Sequence, residues 1–280
     1  MITQAQIGPK ISNFLWPSSK ELSDSSKGSL NRLALMTAML SVCFEKAGRM
    51  FKMSGDVGLE PVLFLIGMFL TLPFVLVEKF SRIAIFIFVL FLLPSIFTDW
   101  VTYANHSWLA VWTIPAALLF AKFWQAPLFS DYLRITLGVV MLGAFAQKIL
   151  AGTYWDGSYI AYLSHYGSTT ENMFKFMCSD ATLLIPCGWH RFIGIFLLAW
   201  QFTVGVLLLV GVRSLLFLFV EISFLLGAGL YADEMNFQVL NIALLCVAFK
   251  VGMSHRLFVI CCILLVVDMH GIGEFIRHVT

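Results

Sequence analysis

The sequence predicts an all-α fold, a polytopic integral membrane helical bundle of about eight to nine transmembrane helices. Three observations carry that reading. Of the 280 residues, 60% are apolar and only 12% are charged, which leaves too little polar side chain to cover a water-soluble globule of this size. The 27 Phe and 8 Trp suit lipid and its headgroup boundary. Apolar runs of about 20 residues, the length that crosses a bilayer as a helix, recur along the chain. Backbone groups in lipid must bond within their own segment, so these runs read as helices.

Residues 1–30 are rich in Ser, Pro and Lys and lack an early apolar core. They read as a polar N-terminal tail rather than a cleavable signal, with a short surface helix expected around Ile11–Trp16. A single transmembrane domain is expected over 31–280. Its spans fall at roughly 32–51, 60–78, 82–98, 106–124, 132–151, 190–212, 214–231, 236–250 and 256–270. The first carries Glu45, Lys46 and Arg49 and the last is short, which is why the count is eight or nine. One long break, 152–189, is polar and aromatic, holds Cys178, Pro186 and Cys187, and reads as an outer loop.

Lys and Arg orient the bundle. With a cytoplasmic N-terminus, eleven of the 18 fall on the inner side and seven on the outer. The turn at 99–105, the 152–189 loop and the turn at 232–235 then share the outer face. The expected setting is a multi-pass protein of a bacterial inner membrane or an equivalent one, with membrane lipid around it. A net charge of +2 and the lack of a phosphate-binding Gly loop argue against a nucleic-acid partner.

Polar residues inside so apolar a chain are where chemistry is sought. In "FTDWVTYANHSWLAVW" (97–112), Asp99, Tyr103, Asn105 and His106 crowd between two apolar segments. His106 has a side chain that titrates in a useful range. Asn105 is equally a good N-cap, and Asp99, Trp100 and Tyr103 equally an interfacial belt. Lys148 ends an apolar segment among Phe145, Ile149 and Leu150, surroundings that disfavour its charged form and suit a base. The other reading is a lysine reaching to the headgroups. Glu221 lies mid-span, as part of a site or as a pin between helices. Gly227 and Gly229 are expected to permit close helix packing.

Cys43, Cys246, Cys261 and Cys262 fall in apolar spans, where thiols act as small hydrophobes. Cys178 and Cys187 share the outer loop and can close a disulfide in an oxidising compartment. No spacing in the chain argues for zinc, iron or haem, so no metal is expected.

Three stretches carry a family resemblance: "NHSWL" (Asn105–Leu109), "AQKILAGTYWDGSYIAYLS" (Ala146–Ser164) and "MNFQVLNIAL" (Met235–Leu244). In that order they resemble three motifs of the vitamin K-dependent gamma-carboxylase transmembrane domain and its bacterial HTTM relatives. The resemblance implies a membrane-embedded, quinol-dependent, lyase-like enzyme with a vitamin K-like quinol as cofactor. In that family a lysine deprotonates the hydroquinone, which reacts with oxygen to give a strong base. That base removes a proton from a peptide glutamate, which then takes up carbon dioxide. The resemblance places Lys148 as the base and His106 as the second catalytic residue. It places Asn105, Trp155, Met235, Asn236 and Gln238 against the quinol.

The chain also departs from the family. Asp233 stands where the family motif has a histidine, and an acceptor-only carboxylate does not replace imidazole like for like. The spacing from Lys148 to Trp155 is longer than in the family motif. The 280 residues hold no counterpart of the carboxylase's large lumenal region, so carboxylation of a protein substrate is not expected. The rival expectation is a non-enzymatic accessory or scaffolding subunit of a larger membrane protein complex.

Overall fold

The computed structural model describes residues 24–52, 58–98, 105–119, 127–166, 178, 185–232 and 234–269. The surface helix expected at Ile11–Trp16, the 99–104 turn and Asp233 lie outside them. Every regular element among the described residues is a helix. They are α1 (Asp24–Lys52), α2 (Leu59–Leu76), α3 (Ser81–Thr98), α4 (Asn105–Thr113), α5 (Ala116–Leu119) and α6 (Pro127–Ala151). Then follow α7 (Ser158–Tyr166), α8 (Gly188–Leu209), α9 (Leu215–Ala232), α10 (Met235–Ala248) and α11 (His255–Met269).

Among the described residues, four helices are long and apolar enough to cross a membrane: α2, α6 from Leu128 onward, α8 and α9. Only 22–28% of the residues in these stretches are buried. What they expose is apolar, including Leu63, Ile66 and Leu70 on α2 and Phe192, Phe196 and Phe202 on α8. Faces of this kind on several helices fit contact with lipid and would drive association in water. α3, the α4–α5 stretch and α10 are apolar but shorter.

Three elements differ from expectation. The first helix begins at Asp24, inside the expected polar tail, because its early turns have buried positions of their own: Leu30, Arg32 and Leu33. The expected span at 106–124 is interrupted at Ile114–Pro115. Pro115 has no N–H and its ring would strike the carbonyl four residues back, so α4 stops and α5 restarts. The expected 152–189 loop contains a helix, α7. Its Ile160 and Ala161 are fully buried, and the Ser164 hydroxyl donates to Ile160 O at 2.7 Å.

The chain forms two compact units, Met1–Leu133 with Ala243–Leu264, and Arg134–Ile242 with Leu265–Thr280. In the first, α2 and α3 form a hairpin around the Val77–Phe80 turn, and α1 packs against α2. A side chain at Gly67 would meet the Phe91 ring at 2.7 Å, so glycine there lets the two hairpin helices approach. The Arg32 guanidinium lies 3.6 Å from the Glu78 carboxylate, fixing the hairpin turn to α1. The Thr37, Ser41 and Thr71 hydroxyls donate to carbonyls three or four residues back in their own helices, satisfying polar groups where no water is at hand. The Ser130 hydroxyl donates to Ala248 O at 2.8 Å, tying the start of α6 to the end of α10.

In the second unit α6 and α8 meet through glycine. A Cβ at Gly138 would lie 2.9 Å from Leu209 and 3.2 Å from Gly205 O, and a Cβ at Gly205 would lie 2.8 Å from Leu142 and 3.2 Å from Gly138 O. Such closeness maximises dispersion between backbones, the main attraction open to helices in lipid. Gly205→Leu is therefore expected to destabilise the folded protein by about 1–3 kcal/mol through overpacking. Thermal unfolding in detergent measures it, and a melting temperature equal to wild type would contradict the close crossing. Of the two glycines expected to permit packing, only Gly229 does so. Its Cβ would lie 2.9 Å from Gln238, whereas a Cβ at Gly227 meets nothing within 4 Å.

Glu221 is a pin. It is 1% exposed, and the Trp200 indole N–H donates to its Oε2 at 2.8 Å, joining α8 to α9 in mid-span. Phe224 packs on the same indole at 5.2 Å, so carboxyl and donor are held among aromatic rings.

Candidate functional site

The candidate site stands at one end of the second unit, where α6 stops. Lys148 lies in the last turn of α6, and the helix closes on Gly152, whose N–H reaches back to Lys148 O at 3.3 Å and Ile149 O at 3.2 Å. Gly152 takes φ +75°, a left-handed conformation that glycine adopts without strain, so the chain turns off directly beyond the lysine. The Asp156 carboxylate then accepts the Ser158 N–H at 2.8 Å and starts α7. That hydrogen bonding holds the Asp156 carboxyl below the usual carboxylate range.

This turn folds Tyr154 under Lys148. The Lys148 Nζ sits 4.8 Å from the centre of the Tyr154 ring, which stacks on Tyr159 with centroids 4.7 Å apart. The two phenols lie close enough to affect one another's ionisation. Burial is the main cause that pushes both phenols above their ordinary range, and the charge of Glu234 adds to it. Both therefore stay protonated near neutrality and serve as hydrogen-bond donors, not bases. The Glu234 carboxylate also acts on Lys148 itself. A ring face and a carboxylate are two partners suited to an ammonium.

Glu234 belongs to the short connection between α9 and α10, so this connection and the turn after α6 share one end of the unit. Tyr231 fastens the same end. Its hydroxyl lies 3.1 Å from Ser164 Oγ and donates to Ile160 O at 3.3 Å, joining α9 to α7.

The expected site residues divide into four groups. Lys148 is half-buried, with its amine above an aromatic ring. Trp155 is 58% exposed and lies beside Tyr154 in sequence, on the outside of the same turn. Met235 and Gln238 are buried in the first turns of α10, against Gly229, and the Asn236 amide donates to Asp268 Oδ2 at 2.8 Å. Those three positions are occupied in packing α10. Asn105 and His106 open α4 in the first unit, and their side chains lie outside the described part of the structure.

Tyr154, Tyr159 and Glu234 were not singled out by sequence reasoning. Two of them lie in the longest of the three motifs, and the signal was there: tyrosines five residues apart around a Gly-containing turn. Glu234 directly follows Asp233, the position at which the chain departs from the family motif.

A second cluster adjoins this end. Cys178 and Cys187 are joined by a disulfide, and Ile160, Tyr154, Tyr159 and Tyr231 pack around it. The ligand atoms of Cys178, Cys187 and His190 lie within 4.8 Å of one another, a spacing open to a metal ion only once the sulfurs part. By contrast, the groove of about 410 Å³ between α2 and α3 is lined by residues such as Gly67, Leu70, Phe74 and Phe91 and by no ionisable group. It suits an apolar chain, not proton transfer.

No protein-family model matches the chain, and neither a curated protein nor a solved structure matches it.

Proposed function

We propose that the chain is a multi-pass membrane protein, of about eight to nine spans with a cytoplasmic N-terminus, that takes a proton from a membrane quinol. The single observation behind this reading is the seating of the Lys148 amine over the Tyr154 ring, at the end of the unit where the charge of Glu234 reaches it. A neutral amine there accepts the quinol proton. The ammonium so formed meets the Tyr154 ring face and feels the negative charge of Glu234, which stabilise the product of the transfer. Tyr154 and Tyr159, held protonated, supply hydroxyl donors for a developing quinolate oxygen. A bacterial inner membrane or its equivalent is the setting that supplies both lipid and quinol.

The test is binding. Purified protein in nanodiscs is titrated with a naphthoquinol and with a benzoquinol, read by quenching of tryptophan fluorescence, for which Trp155 is suitably placed. Saturable quenching by either is the expected result, and its reduction in Trp155→Phe locates the site. No saturable signal from either quinol removes the enzyme reading and leaves the accessory subunit of a larger membrane complex.

A further inference from the structure

We propose that the Cys178–Cys187 pair is a redox-active disulfide, exchanging electrons with an external dithiol through Cys187. The proposal does not rest on the quinol reading. It rests on where the two sulfurs stand in the fold.

Cys187 is the N-cap residue of α8, a helix of 22 residues. Its backbone is extended, and its sulfur and the His190 backbone N–H face each other across the first turn in a capping box. In return, His190 Nδ1 accepts the Cys187 N–H at 3.3 Å. A sulfur in this position stands at the positive end of a long helix, with an imidazole whose ligand atom lies within 4.8 Å of both sulfurs. The N-terminus of α8 favours a thiolate at Cys187, the form that attacks a disulfide and the form that leaves one; His190, whose Nδ1 accepts a hydrogen bond, is neutral and orients the first turn without adding charge.

The two sulfurs are not equivalent in access. Cys178 is 9% exposed and clusters with Ile160, whereas Cys187, packed on that cluster, is half-buried. An incoming thiolate therefore attacks Cys187 Sγ. The bond between Cys187 and Cys178 breaks, and Cys178 leaves with the electron pair and takes up a proton. The second thiolate of the donor then attacks the donor sulfur held on Cys187. Cys187 leaves as a thiolate at the N-terminus of α8 and is protonated in turn. The donor dithiol ends as a disulfide, the protein's disulfide as two thiols, and two electrons and two protons have passed.

A structural staple makes a different prediction, because a disulfide that serves only to hold the loop opens when the fold opens. The experiment uses the full-length protein in detergent with millimolar dithiothreitol as the donor at neutral pH. Samples are quenched with acid and alkylated, and each cysteine is followed by peptide mass spectrometry. The expected result is reduction of Cys178 and Cys187 within minutes in folded protein, reversed when the donor is removed in air. In a Cys178→Ala variant, Cys187 should react with iodoacetamide about tenfold faster than Cys178 does in Cys187→Ala, as its larger thiolate fraction requires. A disulfide that stays closed in the folded wild type and opens only in denaturant overturns the proposal, and that measurement needs no variant to fold. Equal alkylation rates in two variants of native helix content overturn the role given to Cys187.

Discussion

If the proposed function holds, Lys148→Ala is expected to lower oxygen-dependent quinol turnover by about a thousandfold while quinol affinity changes by less than about threefold. The size follows from the role: a positioned base contributes about 10²–10⁴ to the rate, and its loss is felt in the transition state more than in the bound ground state. The split between rate and affinity follows from the geometry. Lys148 leans on Tyr154 and feels Glu234, so removing its amine leaves Tyr154, Tyr159 and the turn that carries them in place. Oxygen consumption with a reduced quinol, alongside the fluorescence titration, measures both quantities. Glu234→Gln supplies a graded comparison. It leaves the amine and removes the nearby negative charge that favours the ammonium, so turnover is expected to fall by about tenfold rather than a thousandfold. Equal turnover in wild type and Lys148→Ala would take the lysine out of the chemistry. A loss of affinity as large as the loss of rate would make it a binding residue instead.

The helices were readable because lipid leaves the backbone so few choices. Apolar runs bounded by Gly, Pro and charge became α2, α3, α6, α8, α9, α10 and α11 within a few residues of where they were expected. What local pattern does not carry is partnership. Nothing around Glu221 in the sequence points to Trp200, 21 residues away, yet that indole decides whether the carboxyl is a reactive group or a pin. Nothing separates Gly227 from Gly229 except which of them faces Met235 and Gln238. The candidate site shows the same division. Lys148 was legible as a lysine among apolar neighbours, and the three motifs drew attention to its turn. Tyr154 as its ring and Glu234 as its carboxylate depend on how the chain reverses at Gly152 and on the approach of the α9–α10 connection, which are properties of the fold.

Gly194 is the position on which that arrangement most depends, and Gly194→Val is expected to destabilise the protein by about 2 kcal/mol or more and to weaken both quinol affinity and turnover. The residue sits in the second turn of α8, buried, where a Cβ would run into the carbonyl oxygen of Tyr154. Helix propensity argues the other way, since glycine inside a helix costs about 1 kcal/mol relative to alanine. The sign is decided by what the new atom meets. A flexible side-chain tip would move aside, but a backbone carbonyl moves only with its turn. That turn has little freedom, because a Cβ at Gly157, which takes φ +84°, would lie 2.6 Å from the Arg191 N–H nitrogen on the same helix. The two glycines thus seat the 152–157 turn on α8, and the seat holds Tyr154 under Lys148. Gly143→Ala is the internal comparison: the same α6 helix that carries Lys148 has open space within 4 Å of that position, so the propensity gain stands unopposed and stability rises by up to about 1 kcal/mol. Thermal unfolding of both variants in one detergent, with quinol titration of each, separates the cases. If Gly194→Val melts with wild type and binds quinol normally, the turn is not seated through Gly194, and the position of Tyr154 must be held by its stacking on Tyr159 alone.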